Sequence, residues 1–191
     1  MAIPRQLPNA ITISRMPLAI LFVVLLVLGG AHGSDDLVLR WVAAVIFIVG
    51  ISTDWVDGYL ARKHDIVTDL GKLLDPIADK LLTGAGFVGL AILGEVPWWM
   101  VIVILIREWG ITIHRLVIVN EHVVAAAWMG KIKTVVQGVT LSWALLPVWL
   151  LMGTGPFAIV TLVLMWAVVL LTVASGIDYV LAQVRGRRAS R

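Results

Sequence analysis

The sequence predicts an all-α integral membrane protein with six transmembrane helices, and three observations carry that prediction. Hydrophobic residues make up 60% of the 191 positions and charged residues only 14%, against about half and a quarter in an ordinary soluble domain. The mean hydropathy is +0.99, more than one small soluble core could bury. The apolar residues also fall into six stretches, each about as long as a bilayer crossing requires. A soluble enzyme and a disordered chain are thereby excluded. A disulfide scaffold is excluded as well, because the chain has no cysteine. The length suits one domain, residues 1–191.

The stretches run over residues 10–31, 37–60, 73–94, 97–119, 134–152 and 156–180. The first follows Arg5 and Arg15 as a signal peptide would, but no small-x-small cleavage pattern follows it, so a retained helix is expected. Pro4 and Pro8 predict a short interfacial segment ahead of it. Turn formers separate the stretches: Gly29-Gly30 and Gly33-Ser34-Asp35-Asp36, then Gly94-Glu95-Val96-Pro97, then Gly153-Thr154-Gly155-Pro156. Trp41, Trp98 and Trp99 fall near stretch ends, as interfacial anchors do.

Six spans put both termini on one side. Twelve of the fifteen basic residues gather there: Arg5, Arg15, Arg62, Lys63, Lys72, Arg115, Lys131, Lys133 and the tail Arg185, Arg187, Arg188 and Arg191. Arg40 alone marks the other side, and Lys80 and Arg107 fall within spans. That asymmetry predicts cytoplasmic termini in a cell-membrane protein. The tail reads equally as a headgroup contact or as a disordered topology signal.

Ionisable residues within spans are costly unless paired or hydrated. Asp54 and Asp57 nevertheless lie at the cytoplasmic end of the second stretch, and Asp75 and Asp79 at the start of the third. Spacings of three and four put each pair on one helical face. Two antiparallel helices joined by a short loop bring the pairs together. Four converging carboxylates repel unless cations neutralise them, and Mg²⁺ or Mn²⁺ prefers such oxygen ligands. Asp65 and Asp178 read as solvated or capping residues, and Asp69 equally as a helix cap. Gly58, Ala61 and Gly71 add small positions beside the acids, and Arg62 adds a fork donor suited to phosphate. A two-metal, phosphate-handling site is expected.

Residues 54–79 read Asp54-x2-Asp57-Gly58-x2-Ala61-Arg62-x8-Gly71-x3-Asp75-x3-Asp79. This string resembles, position for position, the signature of the CDP-alcohol phosphotransferase family. The resemblance implies six transmembrane helices, a homodimer and an active site open to the cytoplasmic leaflet. It further implies that Asp54, Asp57 and Asp75 are metal ligands, and that Asp79 is a ligand doubling as general base. Gly58, Arg62 and Thr68, together with Asp57, match positions that hold the CDP-diacylglycerol donor, with Ala61 and Gly71 beside the cytosine. The implied reaction is attack by an acceptor hydroxyl on the phosphorus bearing diacylglycerol, with CMP leaving.

The signature names the donor and leaves the alcohol open. Arg107-Glu108-x3-Thr112-x2-Arg115, Lys131-x-Lys133-Thr134-x2-Gln137 and the opening Pro8-Asn9-Ala10-Ile11-Thr12-x2-Arg15 resemble the family branch that accepts sn-glycerol 3-phosphate. Asn9 and Thr12 would then help hold the nucleotide. Arg107, Arg115, Lys131 and Lys133 together suit an acceptor bearing its own phosphate. Arg107 and Arg115, eight apart, share a face, whereas the adjacent Arg107 and Glu108 point in different directions and no mutual salt bridge is assured. An ion pair of Arg107 with one of the aspartates is the plain alternative. A phosphatidylglycerol acceptor, giving cardiolipin, or an inositol phosphate acceptor would also carry phosphate. A divalent-cation transporter is the rival from another class. Against it, the acids sit at span ends and no inverted repeat is present.

Overall fold

A computed structural model of the chain describes residues 7–64, 69–117 and 128–189, with side chains over 15–53, 77–114, 116 and 128–185. Among the described residues every regular element is helical. Helix α1 spans Leu7–Gly29, α2 Leu37–His64, α3 Asp69–Ile92, α4 Trp98–Val117, α5 Trp128–Leu145 and α7 Thr154–Ala189, while α6 is the single turn Trp149–Met152. A 3-10 turn at Ala31–Gly33 joins α1 to α2.

Local chemistry sets the boundaries. Asp36 caps α2, its Oδ1 accepting from the amides of Val38 at 2.8 Å and Leu39 at 3.1 Å. Helix α3 ends in a Schellman motif, with Glu95 N–H donating to the Leu90 carbonyl and Gly94 N–H to that of Ala91. Gly94 supplies the left-handed residue this requires, at φ +72°. The fifth apolar stretch, expected over 134–152, is broken instead. Pro147 brings no amide and disfavours helix at Leu146, so α5 stops at Leu145 and α6 restarts the chain. The last helix runs past its expected end, and the tail's Arg185, Arg187 and Arg188 lie on helical backbone. At the N-terminus α1 is continuous from Leu7, so Pro8 belongs to its first turn rather than to a separate interfacial segment; Pro4 lies outside the described residues.

The six long helices close into a ring. α1 packs against α2 and α3, α2 against α5, α5 against α7, and α4 bridges α7 back to α3. Within the ring α3 also reaches across to α2 and α5. Its glycines allow this. A Cβ on Gly89 would stand 2.7 Å from Leu26 of α1, and one on Gly86 3.1 Å from Leu141 of α5. Phe22, Leu26, Phe47, Phe87, Leu90 and Leu141 form the heart of the packed core.

The molecule is apolar outside and partly polar inside. Leu151, Ile106, Val38 and Ile20 are widely exposed, whereas Arg15, Arg40, Glu108, Lys133, Gln137 and Thr140 are buried. Trp41, Trp98 and Trp99 are exposed as anchors would be, but Trp149 is buried. Among the described residues Thr154–Arg185 is long and apolar enough to cross a bilayer by itself, and Arg15–Gly29 and Leu37–Thr53 are shorter apolar stretches.

Arg40, expected only to mark the less basic side, instead locks that end of the bundle. Its guanidinium grips Glu95 with both forks, at 2.6 and 2.7 Å. It also donates to the carbonyls of Leu145 at 3.0 Å and Ala144 at 2.7 Å. These are the last carbonyls of α5, left without intrahelical partners because the helix stops before Pro147, and the arginine caps them. The Trp149 ring lies 5.1 Å from the guanidinium carbon, and the His32 amide donates to Glu95 at 2.9 Å. One buried ion pair thus ties together the α1–α2, α3–α4 and α5–α6 connections. Breaking a buried pair by removing one partner costs about 3–5 kcal/mol. Arg40→Leu should therefore lower the unfolding midpoint of the detergent-solubilised protein by many degrees. Arg40→Leu combined with Glu95→Leu should recover part of that loss in the same thermal melt.

Candidate active site

Helices α2 and α3 carry the signature. Five peptide steps separate His64 from Asp69 and reach at most about 18 Å, well short of the roughly 42 Å length of α2. The two helices pack together and therefore run antiparallel. Asp54 and Asp57 lie ten and seven residues before His64, and Asp75 and Asp79 six and ten residues after Asp69. With the joined ends close to level, the two acidic pairs stand at matching depth, about 10–15 Å inside the helix ends. Gly58, Ala61 and Arg62 occupy the following turns of α2, and Gly71 the first turn of α3. Asn9 and Thr12 lie on the first turns of α1. Thr68 lies outside the described residues, as do the side chains of these positions apart from Asp79.

Asp79 is half-buried and lines a groove of about 650 Å³ between α2, α3 and α5. Ile51 and Ser52 form one wall, and Thr134, Gly138, Ser142 and Leu146 the other. Along α5 this groove runs about 18 Å. It is mostly apolar, with the carboxylate of Asp79 at the end nearer the acidic pairs.

Behind Asp79 lies a buried ionic cluster centred on Glu108 of α4. Lys80 Nζ stands 2.7 Å from Glu108 Oε2 and 3.2 Å from Asp79 Oδ2. Lys133 of α5 donates to Glu108 Oε1, and its ammonium also lies 3.3 Å from Gln137 Oε1. Arg107 donates to Glu108 Oε1 at 2.9 Å and to Ser175 Oγ of α7 at 3.0 Å. The adjacent Arg107 and Glu108 therefore do pair, because the long guanidinium arm folds back along the helix. Among the described side chains, Glu108 is the acid that Arg107 pairs with. Buried ions are held only when their partners are close and numerous, and here three cations meet two carboxylates.

Of the four basic residues expected around an acceptor, the fold brings Arg107 and Lys133 together on one carboxylate. Lys133 is buried with its charge already engaged, so it faces Glu108 rather than open space. Lys131 is exposed on the first turn of α5, and Arg115 lies near the end of α4 with its side chain outside the described residues. Lys80 and Glu108, noted within spans, were given no role in the site from the sequence. The signal was available: a lone cation in the third stretch and a lone acid in the fourth each require an opposite charge in the interior.

The donor set suits a hard divalent cation. It consists of carboxylate oxygens on two adjacent helices at one depth, with no sulfur or imidazole among the eight fixed positions of the string. Known proteins resemble this chain over nearly its whole length. The family model described as CDP-alcohol phosphatidyltransferase matches residues 5–174. A Mycobacterium tuberculosis protein named "Probable phosphatidylglycerophosphate synthase" is 40% identical over 180 residues, covering 94% of this chain and 82% of its own. A Bacillus subtilis protein named CDP-diacylglycerol–glycerol-3-phosphate 3-phosphatidyltransferase is 40% identical over 185 residues, covering 91% of this chain and 93% of its own. A Rickettsia felis protein of that same name is 31% identical, covering 94% and 96%. With the acidic pairs level on α2 and α3, and with matches that span nearly the whole chain, this protein belongs to the CDP-alcohol phosphatidyltransferase family.

Proposed function

We propose that the protein transfers the phosphatidyl group of CDP-diacylglycerol to sn-glycerol 3-phosphate, giving phosphatidylglycerophosphate and CMP. The observation that favours this acceptor is the gathering of Lys80, Arg107 and Lys133 around Glu108, next to Asp79. An acceptor bearing its own dianionic phosphate needs such a field, and a neutral alcohol does not. Relatives named for this reaction cover the chain almost end to end.

The assigned roles follow the signature. Asp54, Asp57, Asp75 and Asp79 would hold Mg²⁺ or Mn²⁺, in keeping with the general metal dependence of the family. When bound, the cations supply charge neutralisation for the diphosphate of the donor. Asp57, Gly58, Ala61, Arg62, Thr68 and Gly71 would cradle the nucleotide, with Asn9 and Thr12 approaching from α1. Arg107, Arg115 and Lys131 would meet the acceptor's phosphate, while Lys133 adds its charge from behind through Glu108. The Asp79 carboxylate takes the proton of the primary hydroxyl. That oxygen bonds to the phosphorus bearing diacylglycerol, and the bond from this phosphorus to the oxygen bridging to CMP breaks. The apolar groove beside Asp79 offers an acyl chain a path into the lipid.

All six long helices are inferred to cross the membrane. The shortest, α5 with 18 residues, is about 27 Å long, close to a hydrocarbon core. The apolar outer surface supports the same reading. Both termini and the acidic pairs then face the cytoplasm, and the homodimer usual in the family is proposed here too.

Purified protein in detergent should release CMP from CDP-diacylglycerol when glycerol 3-phosphate and Mg²⁺ or Mn²⁺ are present. EDTA should abolish the release and either ion restore it. Release only with phosphatidylglycerol would make the product cardiolipin, and release with no acceptor at all would sink the reading. Asp79→Asn should lose at least about a hundredfold in kcat while still binding donor, and near-normal turnover would remove Asp79 as the base. Arg115→Ala should raise KM for glycerol 3-phosphate well above any change for CDP-diacylglycerol. Equal shifts in the two constants would assign it a structural role.

A further inference from the structure

The contact that reaches Asp79 from the interior comes from its own neighbour in sequence. Adjacent helical residues do not face one another, yet the Lys80 ammonium lies 3.2 Å from Asp79 Oδ2. It is drawn there because its far side is anchored 2.7 Å from Glu108 Oε2. Glu108 is itself fixed by Lys133 on α5 and by Arg107, which is tied to Ser175 on α7. Four helices thus converge on the position of one ammonium. A free lysine extends its long stem toward water, whereas this one is turned inward and largely buried.

Asp79 needs such a tether. The last torsion of an aspartate is broad, with no sharp preferred angle, and Asp79 borders an open groove rather than a packed wall. A fixed partner on the interior side narrows the angles that carboxylate can adopt. We propose that Lys80, anchored by Glu108, is a positioning residue for Asp79: it draws Oδ2 inward and so sets the direction in which the carboxylate faces the groove. Lys80 touches neither donor nor acceptor in this assignment, and its part in kcat is exerted through Asp79. The proposal rests on the transferase reading above, through the role given there to Asp79.

The test is steady-state CMP release by the full-length protein in detergent with CDP-diacylglycerol, glycerol 3-phosphate and Mg²⁺, alongside a thermal melt. Lys80→Met keeps the length of the side chain and removes its charge. It should lower kcat at least about tenfold, since small misplacements of a reacting group are that costly. KM for CDP-diacylglycerol should stay within about threefold and the melting midpoint within a few degrees. Lys80→Arg should recover at least about threefold of the lost kcat. Glu108→Gln should show the same kcat loss, and the double variant should be no worse than the poorer single one, because both act through one contact. Glu108→Gln leaves buried cations short of a counter-charge and can fail to fold; Lys80→Met and Lys80→Arg then decide the matter alone. A Lys80→Met kcat within twofold of the unmodified protein would overturn the proposal. So would a loss matched entirely by less folded protein, or a multiplied loss in the double variant. If the unmodified protein itself releases no CMP, the transferase reading fails instead.

Discussion

A charged group inside a bundle with an apolar surface must find its counter-charge within the bundle, and this constraint organises the whole molecule. Two buried glutamates meet it at two places. Glu95 is matched by Arg40 between the connections at one end, and Glu108 by Lys80, Arg107 and Lys133 nearer the acidic pairs. Between them lies an ordinary apolar core around Phe47, Phe87 and Leu141. The two centres differ in balance. At Glu95 one arginine and one carboxylate cancel, and the remaining guanidinium donors go to helix-end carbonyls, which suits a fastening. At Glu108 three cations gather on one carboxylate among the described side chains, beside the half-buried Asp79, which suits a site that receives anions.

Much of this could be read from residue order alone. The apolar stretches gave six long helices, and the turn formers between them fell at the observed breaks. Spacings of three and four put the acids on helical faces, and the short link between α2 and α3 set them level. The misreadings arose where local chemistry overrode hydropathy. Leu150 and Leu151 prolong the fifth apolar stretch, but Pro147 ends its helix, because a missing amide outweighs apolar continuity. The basic tail after Gln183 reads as a separate segment, yet its backbone continues α7.

Pairing across the bundle was not legible, for a reason of distance. Arg40 meets Glu95 55 residues later and the Leu145 carbonyl 105 residues later, and Lys133 meets Glu108 across 25. Periodicity ranks faces within one helix and cannot say which faces of different helices meet. Arg40 consequently looked like a topology marker, Lys133 like a free ligand for phosphate, and Glu108 like a bystander to Arg107. What the sequence did offer was a census of interior charges that had to balance. Lys80 and Glu108 satisfy that census directly, once α3 and α4 are known to be neighbours.

The Arg40 clamp also bears on the order in which the chain can assemble during synthesis. When α1 and α2 emerge, Arg40 has neither Glu95 nor the end of α5 to bind. At ribosomal rates the 55 residues to Glu95 take on the order of seconds, and those to Leu145 about twice as long. The first hairpin must wait with an unpartnered guanidinium, best kept at the hydrated margin of the bilayer. Its final seating is therefore a late event, completed only when the third hairpin arrives to close the same knot.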